Sequence, residues 1–335
     1  MEVLWSRSLH MRPSSSTLAA TAEAVVVAER RSRLVRLDLR TGEPLWEQRV
    51  EDCYGSTVLT ADTCLHLSQT GVLHCFDLSS GNRLWSTPQP WDRRDLSVSG
   101  TTILVGGWRG YHPLTRLSRA GGEPLPTALG KSFRQLAPLH DLTGRPVLLA
   151  DPKLPRLWQL DPESGALVAD WPLPAPVSVP DGGPAGALTE GGLITFQAGS
   201  RIVMAFQPDT GVRELWRHDR DLRHVSTFDG TTLWLLDDAG CTLVDLRDGT
   251  RSNVELRASS VPSSVAAGPH GATIAFRDGD IVAVDRDGVA LARLRLPIRA
   301  GELRRVADGT VLALGKGYLM ALAPVLRRDA RDARR

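Results

Sequence analysis

The sequence predicts an all-β protein: an eight-bladed β-propeller of four-stranded antiparallel blades, closed by its own N-terminal strand. Three observations carry this. A strand–turn–strand motif recurs along the chain. Its turn glycines are spaced by roughly forty residues, the length of one propeller blade. The two ends of the chain hold complementary fragments of a single unit.

The motif is clearest in LVRLDLRTGEPLW, Leu34 to Trp46. Leu34, Val35 and Leu37 form a short apolar run that favours a strand. Asp38 can accept hydrogen bonds from backbone N–H groups of the following turn, and Gly42 supplies the positive φ such a turn needs. Leu45 and Trp46 open the return strand, where an indole offers a large surface to bury. LHCFDLSSGNRLW repeats the pattern with Asp77, Gly81 and Trp85. Weaker copies place Asp161, Gly165 and Trp171, then Asp209, Gly211 and Trp216, then Asp245 with Gly249 and Asp285 with Gly288. In LTRLSRAGGEPL, Ser118 and Gly122 take the Asp and Gly places.

The turn glycines at 42, 81, 122, 165, 211, 249 and 288 are separated by 39, 41, 43, 46, 38 and 39 residues. No 3.6-residue apolar spacing competes with this reading. Return strands at Trp5, Trp46, Trp85, Leu125, Trp171, Trp216, Val254 and Leu291 count eight blades. Trp5 precedes Trp46 by 41 residues but has no partner strands before it. GYLMAL, Gly317 to Leu322, reads as a third strand with no turn and Trp after it. The N-terminal strand Glu2 to Ser6 is therefore expected to complete the last blade and remove two open sheet edges. The Pro- and Gly-rich stretch Leu173 to Gly186 and the stretch Asp141 to Pro155 lengthen one blade, and neither reads as a linker. Residues 1–324 are taken as one propeller domain and 325–335 as an Arg/Asp-rich tail.

The strand–Asp–x–x–(Thr/Ser)–Gly–x–x–Leu–Trp pattern resembles the repeat of the pyrroloquinoline-quinone (PQQ)-like propellers. That superfamily contains quinoprotein alcohol dehydrogenases and the propeller lipoprotein of the outer-membrane β-barrel assembly machine. The resemblance spans nearly the whole chain, is strongest over Leu34 to Trp85, and is specific for fold. It implies structural roles for Asp38, Gly42, Trp46, Asp77, Gly81 and Trp85, with the indole filling the gap between blades. It speaks weakly for function, because fold and chemistry are separable. The quinoprotein enzymes use adjacent cysteines, a metal held by carboxylate and amide oxygens, and a catalytic Asp. Here no two cysteines are adjacent, and the only asparagines are Asn82 and Asn253. No cofactor and no metal site are expected.

Charge and cysteine usage narrow the function classes. The net charge is +2, and only three of the 40 basic residues are lysine. The tail carries a net positive charge, which leaves the body without one and makes it a poor ligand for a phosphate backbone. No apolar run approaches the ~20 residues that span a bilayer as a helix. MEVLWSRSLHMRPSSS has no apolar core of a secretory signal, and a cytoplasmic monomer is the expectation. Cys53, Cys64, Cys75 and Cys241 show no CxxC spacing. If Ser68 to Gly71 form a hairpin turn, Cys64 and Cys75 lie opposite each other as two reduced, buried thiols.

Candidate site residues cluster in the connections entering each innermost strand, at the mouth of the ring. Arg93, Arg94, Arg134, Arg223 and Arg304 would focus positive potential there, for an anionic ligand or an acidic peptide. Trp108, in the Gly-rich GGWRGYH, is a binding candidate if exposed and a wedge between blades if buried. His10, His224, Asp52 and Asp221 offer general acid–base chemistry if they converge. Asp237-Asp238 and Arg277 to Asp280 have turn carboxylates but lack the ligand alternation of a calcium loop. The resulting expectation is a non-enzymatic scaffold that binds a protein or peptide through one face of the ring. The alternative is a lyase- or cyclase-type enzyme acting at the axial mouth.

Overall fold

The computed structural model describes residues 1–10, 18–21, 23–52, 55–90, 93–107, 114–126, 137–138, 147–151, 153–178, 186–188, 193–254, 256, 260–306, 309–315 and 317–325. These residues form 32 strands, β1 to β32, in eight four-stranded antiparallel sheets. Blade 1 runs outward as β2 (Leu18–Ala20), β3 (Val25–Glu29), β4 (Arg33–Leu37) and β5 (Pro44–Arg49). Blade 2 follows as β6 (Ser56–Leu59), β7 (Thr63–Leu67), β8 (Val72–Asp77) and β9 (Arg83–Pro88). In blade 8, β30 (Glu302–Arg305), β31 (Val311–Gly315) and β32 (Tyr318–Leu322) are completed by β1 (Val3–Ser8). Trp5 stands opposite Ala321 and Ser8 opposite Tyr318, and the Ala323 N–H donates to the Glu2 carbonyl at 2.9 Å. The N-terminal strand therefore closes the ring, as the two sequence fragments predict.

Each blade presents alternate side chains to its two neighbours, so its middle strands are apolar on both faces. β3, β7 and β31 are buried along their whole length, whereas β5 alternates buried and exposed positions at the rim. The core accordingly divides into eight clusters, one in each seam between blades. Among the described residues, the seam between blades 3 and 4 holds five buried residues around Leu104 and Trp158.

The return strands share a feature that alternation in the sequence conceals. In blades 8, 1 and 2 the residue before the Trp is the extra residue of a β-bulge. Arg36 pairs with Trp46 but Leu37 with Pro44, leaving Leu45 over; Leu84 and Leu4 stand in the same way. A bulge turns its extra side chain away from the ladder and re-aims the next residue. Leu4, Leu45 and Leu84 are 43%, 55% and 55% exposed. The following Trp is driven into the seam. There Trp5, Trp46 and Trp85 donate their indole N–H to the carbonyls of Leu39, Leu78 and Arg119 in the turn of the next blade, at 2.8, 2.8 and 3.2 Å.

That turn is shaped by the repeated acid. Asp38 Oδ1 accepts the N–H groups of Arg40 and Thr41, and the Gly42 N–H donates to the Asp38 carbonyl. Hydroxyl and N–H donors of Ser79 and Ser80 hold the Asp77 carboxyl down to about 2. Gly81 has φ +75, and a Cβ there would come within 2.7 Å of the Trp46 ring. The glycine thus allows both the turn and the approach of the indole.

Two sequence readings need correction, and a third gains a detail. β7 and β8 are joined by a loop in which Ser68 pairs back with Val72, so Leu67 faces Leu73 and Cys64 faces Phe76. The one-residue shift puts Cys64 and Cys75 on opposite faces of blade 2. Cys64 packs with Trp46 towards blade 1, and Cys75 packs towards blade 3. In blade 5, Gln207 rather than Asp209 stands four residues before the turn glycine, and its carbonyl accepts the Thr210 N–H. In blade 3, Leu125 takes the Trp place, but the slot beyond it is filled from the neighbouring strand. Arg116, 3% exposed, reaches across to the Pro162 and Glu163 carbonyls at 2.6 and 2.7 Å, and its guanidinium lies against Gly165. A cleft of about 320 Å³ remains beside it, lined by Thr101, Arg116, Leu125 and Glu163 among others.

Candidate functional site

The first strands of successive blades pack on one another around the axis. Antiparallel order therefore brings the connections into each innermost strand, and the turns between second and third strands, to one end of the ring. This is the mouth to which the sequence assigned its candidate residues.

Most of the described candidates there are engaged by the protein itself. Arg223 pairs through Nε with Asp238. Arg304 pairs with Glu302 at 2.5 Å and donates from Nη1 to the Leu18 carbonyl at 2.7 Å, tying the closing blade to blade 1. Arg93 and Arg94 begin the innermost strand of blade 3, β10 (Arg93–Ser99), and their side chains lie outside the described atoms. Arg134 and Trp108 lie outside the described residues.

The four acid–base candidates behave separately. Asp221 accepts from Ser200 Oγ at 2.8 Å and Arg201 Nε at 2.7 Å, bonds that hold its carboxyl below the usual range. It is thereby fixed to a turn of blade 5. His224, three residues later in β22 (His224–Ser226), turns the other way. Its Nδ1 accepts the Val265 N–H at 3.0 Å from β26 (Pro262–Gly268), and burial takes its pKa down to about 4. A neutral ring with Nδ1 as acceptor carries its proton on Nε2. His10 is exposed with φ 52; Asp52 has φ 44, and its carbonyl accepts the Gln69 N–H at 3.4 Å. Asp221 and His224 thus serve different blade junctions rather than one reacting centre.

His224 belongs to a set of side-chain bridges between innermost strands. Ser226 Oγ accepts the Ala267 N–H at 3.1 Å, and Ser264 Oγ accepts the Leu303 N–H at 3.1 Å. These groups satisfy edge donors that the sheet ladder leaves open. A second bridge escaped sequence reasoning: His218 Nε2 lies 3.1 Å from Asp237 Oδ2, with both side chains buried. Burial pushes the Asp237 carboxyl up. The bonds from His218 and the Ala239 and Gly240 N–H groups outweigh that and hold it below the usual range. The two residues are 19 apart in different connections, and no local spacing signals their pairing. The same acid caps its own turn, which agrees with the turn-carboxylate reading of Asp237-Asp238.

A row of polar residues also crosses blade 2 from axis to rim. Thr57 Oγ1 and His66 Nδ1 are 3.0 Å apart, and His74 Nδ1 and Ser86 Oγ 2.8 Å. The Nε2 atoms of both histidines are buried without a hydrogen-bond partner. Burial, helped by the neighbouring His74, takes the His66 pKa down to about 3. Among the described residues no group of three or more His, Cys, Asp or Glu side chains is placed to hold a metal ion. No helix among them is long and apolar enough to cross a membrane.

The family model described as outer membrane protein assembly factor BamB matches residues 2–151. The outer membrane protein assembly factor BamB of Burkholderia pseudomallei is 34% identical over 112 residues, 30% of this chain and 29% of that relative. The crystal structure of BamB from Moraxella catarrhalis superposes with a TM-score of 0.72 at 15% identity, covering 96% of this chain and 98% of that one. A computationally designed protein, Ika8, superposes with a TM-score of 0.72 at 14% identity, covering 94% and 98%. At these identities the solved structures speak for fold alone.

The cytoplasmic placement expected from the sequence is corrected by these matches, since the matching family and the curated relative are both outer-membrane assembly factors. That expectation rested on the N-terminal residues 1–16, and the reduced state of the cysteines was inferred from it. Cys64, Cys75 and Cys241 are buried, and burial raises the thiol pKa of each, to about 11 for Cys75 and about 12 for Cys241. Packing of this kind keeps thiols unpaired in an oxidising compartment as well as in a reducing one.

Proposed function

We propose, from the premise that the chain is a PQQ-like repeat β-propeller, that it is a protein-binding scaffold in outer-membrane protein assembly. One observation carries the reading. Leu4, Leu45 and Leu84 occupy the same bulge position on the outermost strands of three consecutive blades, 8, 1 and 2, and each is about half exposed. All three fall within the residues that match the assembly-factor family. Scattered exposed leucines need no explanation, whereas exposed leucines repeated at one structural position of consecutive blades support reading this rim as an interaction surface. The rim is a better candidate than the mouth, where Arg223 and Arg304 already bond to the protein's own groups. The rigid ring keeps the row's spacing fixed and lowers the ordering cost of binding.

The test is affinity capture of detergent-solubilised outer-membrane proteins on the purified chain, with a Leu4→Asp/Leu45→Asp/Leu84→Asp variant beside it. The expected result is stoichiometric capture of a β-barrel assembly component by the wild type and at least a tenfold loss by the variant. An unchanged thermal midpoint would show that the variant is folded. Equal capture by both proteins would exclude the leucine row, and capture of no assembly component would exclude the scaffold reading.

A further inference from the structure

The seam between blades 7 and 8 departs from the repeat in a way that creates a binding site. In blade 1 the seam-facing pair in the third and fourth strands is Arg36 opposite Trp46, and both reach the Leu78 carbonyl of the next blade. In blade 7 the corresponding strands are β28 (Asp280–Asp285) and β29 (Ala290–Arg295). Their bulge leaves Leu291 over, so the corresponding pair is Ala283 opposite Ala292. Two alanines therefore stand where blade 1 has a guanidinium and an indole. Beside Ala283 lies an open cavity of about 280 Å³.

The residues that line this cavity are mostly apolar, among them Met1, Ala283, Leu291, Val311 and Leu322, with His270 and Thr273 beside them. Pro324 also lines it, next to Gly309. It follows Ala323, which occupies the Asp place of the closing blade's turn, as its bond to the Glu2 carbonyl indicates. Pro324 thus corresponds to Leu39, Leu78 and Arg119, whose carbonyls accept the indole N–H in other seams. Arg305 enters from the innermost strand of blade 8. Its Nε donates to the Ala267 carbonyl at 3.1 Å and its Nη1 to the Gly309 carbonyl at 3.2 Å. Among the described residues no carboxylate pairs with it in an ion pair, and burial disfavours its charged form. A partly buried cation whose partners among the described residues are carbonyls favours an anion brought to it.

We propose that this seam binds a small aromatic carboxylic acid carrying a ring N–H, the ring in the open indole slot and the carboxylate on Arg305. The apolar walls take the ring faces, the Pro324 carbonyl takes the ring N–H, and the remaining guanidinium donors take the acid. The cavity is at the lower end of the size range of small-molecule sites. The proposal is independent of the scaffold reading, which concerns the rim of blades 8, 1 and 2.

The test is calorimetric titration of the purified chain with indole-3-acetate and, separately, with the uncharged indole-3-acetamide. Saturable binding of the acid, with the amide at least tenfold weaker, is expected. In Arg305→Gln the two probes should bind alike; in Ala292→Trp, which supplies the repeat's own indole from within, neither should bind. Absence of saturable binding at millimolar acid would overturn the proposal, as would equal affinity of acid and amide for the wild type. Retention of binding by a folded Ala292→Trp variant would also overturn it. Should either variant fail to fold, the acid–amide comparison on the wild type still decides.

Discussion

Replacing Trp46 by Ala is expected to destabilise the protein by about 3–5 kcal/mol, the range for truncating a buried aromatic to Ala. The indole is 7% exposed, rests on Gly81 and lies 6.3 Å from the Phe76 ring, so the seam between blades 1 and 2 has little freedom to collapse around its loss. The cavity, rather than the lost hydrogen bond, sets the size of the effect. The Leu78 carbonyl that accepts the indole N–H also accepts from Arg36 Nη1 at 2.7 Å, and that partner remains. Trp46→Phe, which keeps a ring in the slot, should cost well under half as much. Leu45→Ala, one residue away but on the exposed bulge, should stay within about 0.5 kcal/mol of wild type. Denaturant unfolding midpoints of the three variants check this ordering. A Trp46→Ala midpoint equal to that of Leu45→Ala would contradict the wedge role of the indole.

Acid should weaken the fold well before the carboxylates protonate. His66 and His224 are held neutral, with pKa values brought to about 3 and about 4 by burial, below the ordinary histidine value of 6.5. The unfolded chain therefore takes up protons that the folded chain refuses. The stability these residues contribute is fully present above about pH 6.5 and falls as the pH drops. The loss continues to about pH 4 for His224 and about pH 3 for His66. For His66, whose ring is wholly enclosed, the slope approaches about 1.4 kcal/mol per pH unit, and the loss between pH 6.5 and 5 is about 1.6 kcal/mol. Unfolding midpoints measured at pH 7.5, 6.0 and 5.0 for wild type and His66→Gln read this directly. The variant should be less stable at pH 7.5, where the Thr57 bond is lost, yet should lose less between pH 7.5 and 5.0. Parallel pH profiles would exclude His66 as a source of acid sensitivity.

The parts of this fold that were legible in the sequence are those that local chemistry fixes. A turn that needs Asp38 as acceptor and Gly42 at positive φ must spell itself out in five residues, and so must its copy at Asp77 and Gly81. The unmatched Leu4-Trp5 and Gly317 to Leu322 segments led to the ring closure because each lacked what the other supplied. Register was harder to read. The loop after Leu67 is one residue longer than a simple turn reading allows, and that residue decides which seam Cys64 and Cys75 enter. The bulges at Leu45 and Leu84 were hidden because Leu-Trp reads as ordinary alternation. Long-range partners were hardest of all. Asp221 and His224 are near in sequence but committed to blades on opposite sides, whereas His218 and Asp237 meet through connections that share no local pattern. The open slot at Ala283 and Ala292 becomes visible only when the register is known, since alanine in a strand carries no signal of what it replaces.

Pairing between the first strand and the last closes the ring. Ser8 and Tyr318 face each other across β1 and β32 near the surface. Antiparallel partners have Cα atoms about 4.5–5.5 Å apart, within the range a disulfide spans. Mild oxidation of a Ser8→Cys/Tyr318→Cys variant should therefore give a monomeric, internally linked chain that migrates faster on a non-reducing denaturing gel. Thiols at both positions that stay free, or that join only one chain to another, would contradict the closure.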